Sequence, residues 1–85
     1  MEKYLDKTMC ELSRNDIFKF KNKNIRYRVS FIFTQLIGRE EFPTKVKAQS
    51  LKSNRFYIFD LNKRFDYNGA YCEFAFRRVE VYTNY

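Results

Sequence analysis

From Ile25 to Thr34 the chain alternates without a break, Ile25, Tyr27, Val29, Phe31 and Phe33 against Arg26, Arg28, Ser30, Ile32 and Thr34. A period of two over that length predicts a half-buried β-strand, with the odd positions turned inward and the arginines facing solvent. Upstream, Phe18 and Phe20 oppose Ile17, Lys19 and Lys21, and Asn22-Lys23-Asn24 is a polar turn between the two arms. The pair reads as a β-hairpin, which is only marginally stable in water and needs further strands on its apolar face.

The remaining segments supply them. Val46, Ala48 and Ser50 alternate with Lys45, Lys47, Gln49 and Leu51, then a turn at Lys52-Ser53-Asn54 leads into Arg55–Asp60. There Phe56 and Ile58 oppose Arg55, Tyr57 and Phe59. Gln35–Thr44, with Gly38, Pro43 and Arg39-Glu40-Glu41, breaks the alternation. It reads as a long loop that either folds Leu36, Ile37 and Phe42 over one end of the fold or presents them to a partner. Asn68-Gly69 is the strongest turn dipeptide. Beyond it Ala70–Tyr82 reads as a last strand that changes parity: Ala70, Cys72, Phe74 and Phe76 share one face, Val79 and Val81 the other. A bulge or bend near Arg77-Arg78 repairs the mismatch. Glu2–Ser13 fits a short helix or, with Thr8–Leu12 as strand, a sheet edge; Ser13–Asp16 is a turn.

One domain, residues 1–85, follows from the length, and a chain this short needs large side chains to build a core. Ten Phe and seven Tyr provide them. The fold class expected is all-β, with one short N-terminal helix as the alternative for the first segment. The architecture expected is a small five- to six-stranded antiparallel barrel or strongly curled sheet, because closure removes exposed edges.

Leu12, Asp16, Phe18, Tyr27 and Val29, and further on Val46-Lys47-Ala48, Leu51-Lys52 and Phe56–Asp60, carry a family resemblance. The stretch from Leu12 to Leu61 resembles the small Src-homology-3-like barrel modules of bacterial and phage proteins. Asn15 stands where such modules usually have glycine. The resemblance implies a barrel and no particular ligand.

Chemistry for catalysis is sparse. Histidine is absent, and Cys10 and Cys72 are too few for a structural zinc site. No phosphate loop or nucleophile elbow occurs. Glu40-Glu41 beside Arg39 reads as a solvated charge cluster, and Asp60, Asp66 and Glu73 are the remaining carboxylates a metal-dependent nuclease could use. No metal, no cofactor and no enzyme activity are expected. The residual enzymatic reading is a metal-free ribonuclease toxin working through Arg55, Tyr57, Arg77 and Arg78, although the N-terminal helical hairpin of such toxins is missing.

Seventeen Lys and Arg against ten Asp and Glu give a net charge of +7. Such a surplus favours nucleic acid or an acidic protein surface as partner. The alternative is that lysine merely keeps an aromatic-rich chain soluble. The candidate nucleic-acid surface is Arg26, Arg28, Lys45, Lys47, Arg55 and Tyr57, cations interleaved with rings on strand faces. The alternative function is a phage-type inhibitor or adaptor, such as an anti-CRISPR or other anti-defence protein. It would dock on a host protein through Leu36, Ile37, Phe42, Arg77, Arg78 and Tyr82, or the terminal Tyr85. Without a signal-peptide pattern or an apolar span, the expected compartment is the cytoplasm, the host's if the chain is phage-encoded, with no membrane partner. A homodimer through a sheet edge is compatible with both functions. Whether Cys10 and Cys72 meet is left open.

Overall fold

The alternation that begins at Arg26 does not run unbroken to Thr34. In the computed structural model, which describes residues 3–65, 68–71 and 73–82, Ser30 is an extra residue in its strand. Val29 pairs with Ala48 and Phe31 with Lys47, adjacent residues of the next strand, so a β-bulge falls between them. Parity reverses there. Val29 is fully buried, while Phe31 and Phe33 turn out to solvent and Ile32 packs against the core. The expected inward placement of Phe31 and Phe33 is therefore wrong, and the bulge is the physical reason.

The elements are β1 (Tyr4–Thr8), a 3-10 turn (Met9–Glu11), β2 (Ile17–Phe20), β3 (Arg26–Ile37), β4 (Glu40–Ser50), β5 (Phe56–Asp60), a second 3-10 turn (Phe74–Phe76) and β6 (Arg78–Tyr82). They form one six-stranded sheet in the order β1-β6-β2-β3-β4-β5, and every pairing is antiparallel. The protein is all-β, as its sequence suggests. The sheet is not closed into a barrel, since β1 and β5 are its edges.

It is strongly curled all the same. Phe59 on β5 has its ring centroid 6.2 Å from Phe18 and 5.5 Å from Phe20 on β2, although β3 and β4 lie between. A flat sheet would hold strands three places apart at about 14 Å. The inner face thus wraps around an aromatic cluster of Phe18, Phe20, Tyr27, Phe59 and Phe74. Met9, Leu12, Val29, Val46, Ala48, Leu61, Val79 and Val81 complete the core. Each fully buried Val or Phe contributes about 1.5–3 kcal/mol relative to exposure.

Three further expectations are revised. Gln35–Thr44 is not a loop: β3 and β4 continue as a two-stranded ribbon closed at Gly38-Arg39, with Ile37 opposite Glu40. Gly38 holds a φ of 64°, where a residue without a β-carbon meets no penalty. A second register shift between Phe33 and Thr34 lets the ribbon tolerate Pro43. The last strand starts at Arg78 rather than Ala70. No strand of the described residues leads into Arg78, so no bulge is needed there; the 3-10 turn at Phe74–Phe76 precedes β6 instead, anchored by the Phe74 N–H donating to the Lys63 carbonyl at 3.0 Å. At the start, Tyr4–Thr8 is the strand, and part of the stretch expected to be strand, Met9–Glu11, is a 3-10 turn instead.

The turns fall where the sequence places them. Asn15, Asn22 and Asn54 adopt φ of 73°, 67° and 62°. Asparagine enters this left-handed region more readily than most side chains do. At Ser13–Asp16, the Ser13 N–H donates to Asp16 Oδ2 at 2.8 Å and the Asp16 N–H to the Ser13 carbonyl at 3.1 Å. Asn15 thus takes the conformation that glycine would supply. Cys10 is half-buried with Sγ 3.2 Å from Thr8 Oγ1, whereas Cys72 lies outside the described residues.

Candidate functional site

Register across the curled sheet decides which side chains share the outer face. From β3 through β4 to β5, Phe31 lies beside Lys47 and Lys47 beside Ile58. Phe33 lies beside Lys45, and Lys45 beside Asp60. Arg28 is opposite Gln49, itself opposite Phe56, and Arg28 adjoins Ile17 and then Tyr82 on the other side. Paired residues project to the same face. Arg28, Lys45 and Lys47 therefore stand on one surface among Phe31, Phe33, Phe56 and Ile58, all exposed apolar side chains.

The rings and cations touch. Phe31 and Phe33 meet edge to face at 5.0 Å, Lys47 Nζ lies 5.1 Å from the Phe56 ring centre, and the Arg26 guanidinium sits 4.2 Å over Tyr82. Each such cation–ring contact is worth about 0.5–1 kcal/mol at an exposed site.

Three acidic groups on this surface have partners. Glu80 takes Lys19 at 3.4 Å and accepts from the Tyr82 hydroxyl at 3.1 Å. Asp6 takes Lys21 at 3.3 Å, and Asp60 Oδ1 accepts the Asn62 N–H at 2.9 Å. No ion pair among the described residues involves Arg28, Lys45 or Lys47. β3 and β4 carry Arg26, Arg28, Lys45 and Lys47 against Glu40 and Glu41, and all four cations stand on this face. Burial and the Glu80 hydrogen bond push the Tyr82 hydroxyl above its ordinary pKa, which keeps it a neutral donor.

Of the six residues singled out for nucleic acid, Arg26, Arg28, Lys45 and Lys47 share the outer face. Tyr57 does not, because it pairs with buried Ala48 and so faces inward. It packs edge to face on Tyr27 at 6.0 Å, and burial followed by Tyr57 raises the Tyr27 pKa. Arg55 precedes β5, where its carbonyl accepts the Ser50 N–H at 2.8 Å. The sheet face assigned to Arg55, Tyr57 and Phe59 is reversed: Phe56 and Ile58 point out, since Phe59 pairs with buried Val46. Sequence reasoning missed Phe31, Phe33, Phe56 and Ile58 as surface residues. The parity of β5 against Val46 and Ala48 could have exposed the last two.

The residues singled out for a protein partner do not form one patch. Leu36, Ile37 and Phe42 are exposed on the ribbon. Arg77 lies 4.7 Å from the Phe20 ring centre and 5.6 Å from that of Phe74, covering the inner cluster. Arg78 pairs with Thr8, and Tyr82 with Tyr4. Tyr85 and Asp66 lie outside the described residues. Among the described residues no group of three or more Cys, Asp or Glu side chains is placed to hold a metal, and no helix is long and apolar enough to cross a membrane.

The fold and its outer face define a small all-β protein with a basic, ring-bearing sheet surface. No protein-family model, curated protein or solved structure matches the chain.

Proposed function

We propose that this chain is a small non-catalytic binding protein that holds nucleic acid, in single-stranded form, on the outer face of β3, β4 and β5. The observation that carries the reading is the interleaving of Arg28, Lys45 and Lys47 with exposed Phe31, Phe33 and Phe56 on one surface. Cations track a phosphate backbone, and exposed rings give bases a stacking surface that tolerates any sequence. Arg26, held against Tyr82, borders the same track. The resemblance to Src-homology-3-like modules belongs to this proposal. What supports it is a β4–β5 hairpin over the residues that carry it, from Val46 to Asp60. The cytoplasm, a host's included, is the compartment that suits such a ligand.

The test is a titration of a labelled single-stranded oligonucleotide at rising salt. Four backbone cations imply a slope of log K against log salt of about −2.8, or about a 50-fold loss between 50 and 200 mM. Affinity that stays flat over that range overturns the reading.

A second reading, an inhibitor or adaptor that docks on a protein, rests on the exposed Leu36, Ile37 and Phe42 of the ribbon. Under it, Leu36→Ser with Phe42→Ser abolishes activity while leaving oligonucleotide affinity unchanged. Anti-defence activity of the phage kind is one form this would take, measured as protection of a phage from host immunity.

A further inference from the structure

Past Val29, β3 pairs on one side only among the described residues. β2 reaches Arg28 at its furthest, and the Asp16 turn closes on Val29, whose N–H donates to the Asp16 carbonyl at 2.8 Å and whose carbonyl accepts the Asn15 N–H at 2.9 Å. From Ser30 to Ile37 no strand of the described residues lies beside the backbone edge away from β4.

That edge lacks the usual guards against strand pairing. Ser30–Ile37, SFIFTQLI, holds no charge, proline or glycine. The opposite edge of the same ribbon carries Glu40, Glu41 and Pro43, β1 carries Asp6 and Lys7, and β5 is short and bounded by Arg55 and Asp60. Long, uncharged, β-prone edges are where another strand adds.

We infer that the Ser30–Ile37 edge of β3 pairs antiparallel with the same edge of a second copy, making a two-fold dimer with one continuous sheet. Self-complementarity selects this occupant. With a two-fold axis through the sheet at Thr34, the register sets Thr34 opposite Thr34, Phe33 opposite Gln35, Ile32 opposite Leu36 and Phe31 opposite Ile37 of the other copy. Every pair then matches in face. Phe31 and Phe33 share the outer side with Gln35 and Ile37, and Ile32 and Leu36 share the other side. Apolar residues meet apolar ones in two of these rows, the pairing that stabilises neighbouring strands. A register centred on Phe33 would instead set Leu36 against Ser30 and Phe31 against Gln35.

Charge points the same way. Two molecules of +7 repel, and they meet here through a segment that carries none of that charge. The register also brings each ribbon tip, with Arg39 and Glu40, against the Ser13–Asp16 turn of the other copy, where Arg14 and Asp16 offer the opposite signs. The dimer joins two outer faces edge to edge.

The experiment is sedimentation equilibrium without nucleic acid, so its outcome is independent of the ligand. The wild type is expected to approach twice 10.5 kDa as concentration rises. Thr34→Lys puts like charges directly opposite and is expected to leave a folded monomer, by circular dichroism, at the same concentration. Mixing it one to one with Thr34→Glu restores a dimer. Hydrogen exchange of wild-type amides between Ser30 and Ile37 slows with concentration, a readout that needs no variant. A monomer at every concentration overturns the inference and leaves the edge to a foreign strand. A dimer that Thr34→Lys does not weaken, or exchange independent of concentration, overturns it too.

Discussion

Val29 and Phe31, two positions apart on one strand, point to opposite faces of the sheet because Ser30 is inserted between the partners Ala48 and Lys47. That single bulge converts one strand from a core element into a surface element along its own length. Val29→Ala should lower unfolding free energy by about 1.5–3 kcal/mol. Phe31→Thr should cost less than about 1 kcal/mol, part of it the lost contact with Phe33. Urea unfolding of the two variants checks this; equal losses would place Phe31 in the core.

Phe18 is fully buried and touches the rings of Phe20, Tyr27 and Phe59. Phe18→Ala is expected to cost about 3–5 kcal/mol, comparable to the whole stability of a small domain. The variant should show little native circular dichroism at 25 °C.

Lys45→Ala and Lys47→Ala should each reduce the steepness of the oligonucleotide salt dependence by about 0.7. Phe56→Ala should weaken binding by about 1–3 kcal/mol if a base stacks there, with little change in salt slope. Tyr57→Phe should leave binding unchanged, because that ring faces inward. Anisotropy titrations with the same labelled strand read all four.

The Glu11 carboxylate accepts the Thr8 hydroxyl at 2.7 Å and the Thr8 N–H at 3.0 Å, and these bonds, the hydroxyl first, lower its pKa below the ordinary 4.5. A lowered folded value means the charged form favours the fold. Its contribution is present above the ordinary value and is lost as pH falls through the folded one. Glu11→Gln should therefore flatten stability against pH between about pH 5 and pH 3, measured by urea melts, with no change in shape near neutrality.

Asn54 holds φ at 62° in the β4–β5 turn, where its N–H donates to the Ser50 carbonyl at 2.9 Å. Asn54→Ala is expected to cost about 1–2 kcal/mol and Asn54→Gly much less, since a β-carbon is what the left-handed region penalises. Thermal melts of the pair separate backbone conformation from side-chain bonding.

Local signals in the sequence located most strands and turns. Phe18, Val46, Ala48, Val79 and Val81 sit on the faces their alternation assigns, and the asparagine turns occur where polar clusters interrupt it. What was hidden depends on pairing. A bulge adds a residue without altering composition, so Phe31 and Phe33 read as core. Pro43 and Gly38 suggested a loop because the sequence does not show that a register shift and a tight turn would accommodate them in a ribbon. Arg26, Arg28, Lys45 and Lys47 were legible as one face because they precede the bulge or lie on the partner strand. Tyr57 was assigned to the wrong face because two-sided aromatic strands do not reveal their inward side.

Strand β6, made from Arg78–Tyr82, lies between β1 and β2. A nascent chain growing at about 5–20 residues per second emerges with Tyr4–Thr8 many residues ahead of β6, the strand it pairs with. For several seconds Phe18 and Phe20 have no Val79 or Val81 against them, and β1 has nothing to pair with. Completion of the sheet thus waits for the synthesis of Arg78–Tyr82, and truncation before Arg78 would leave β1 without the strand it pairs with.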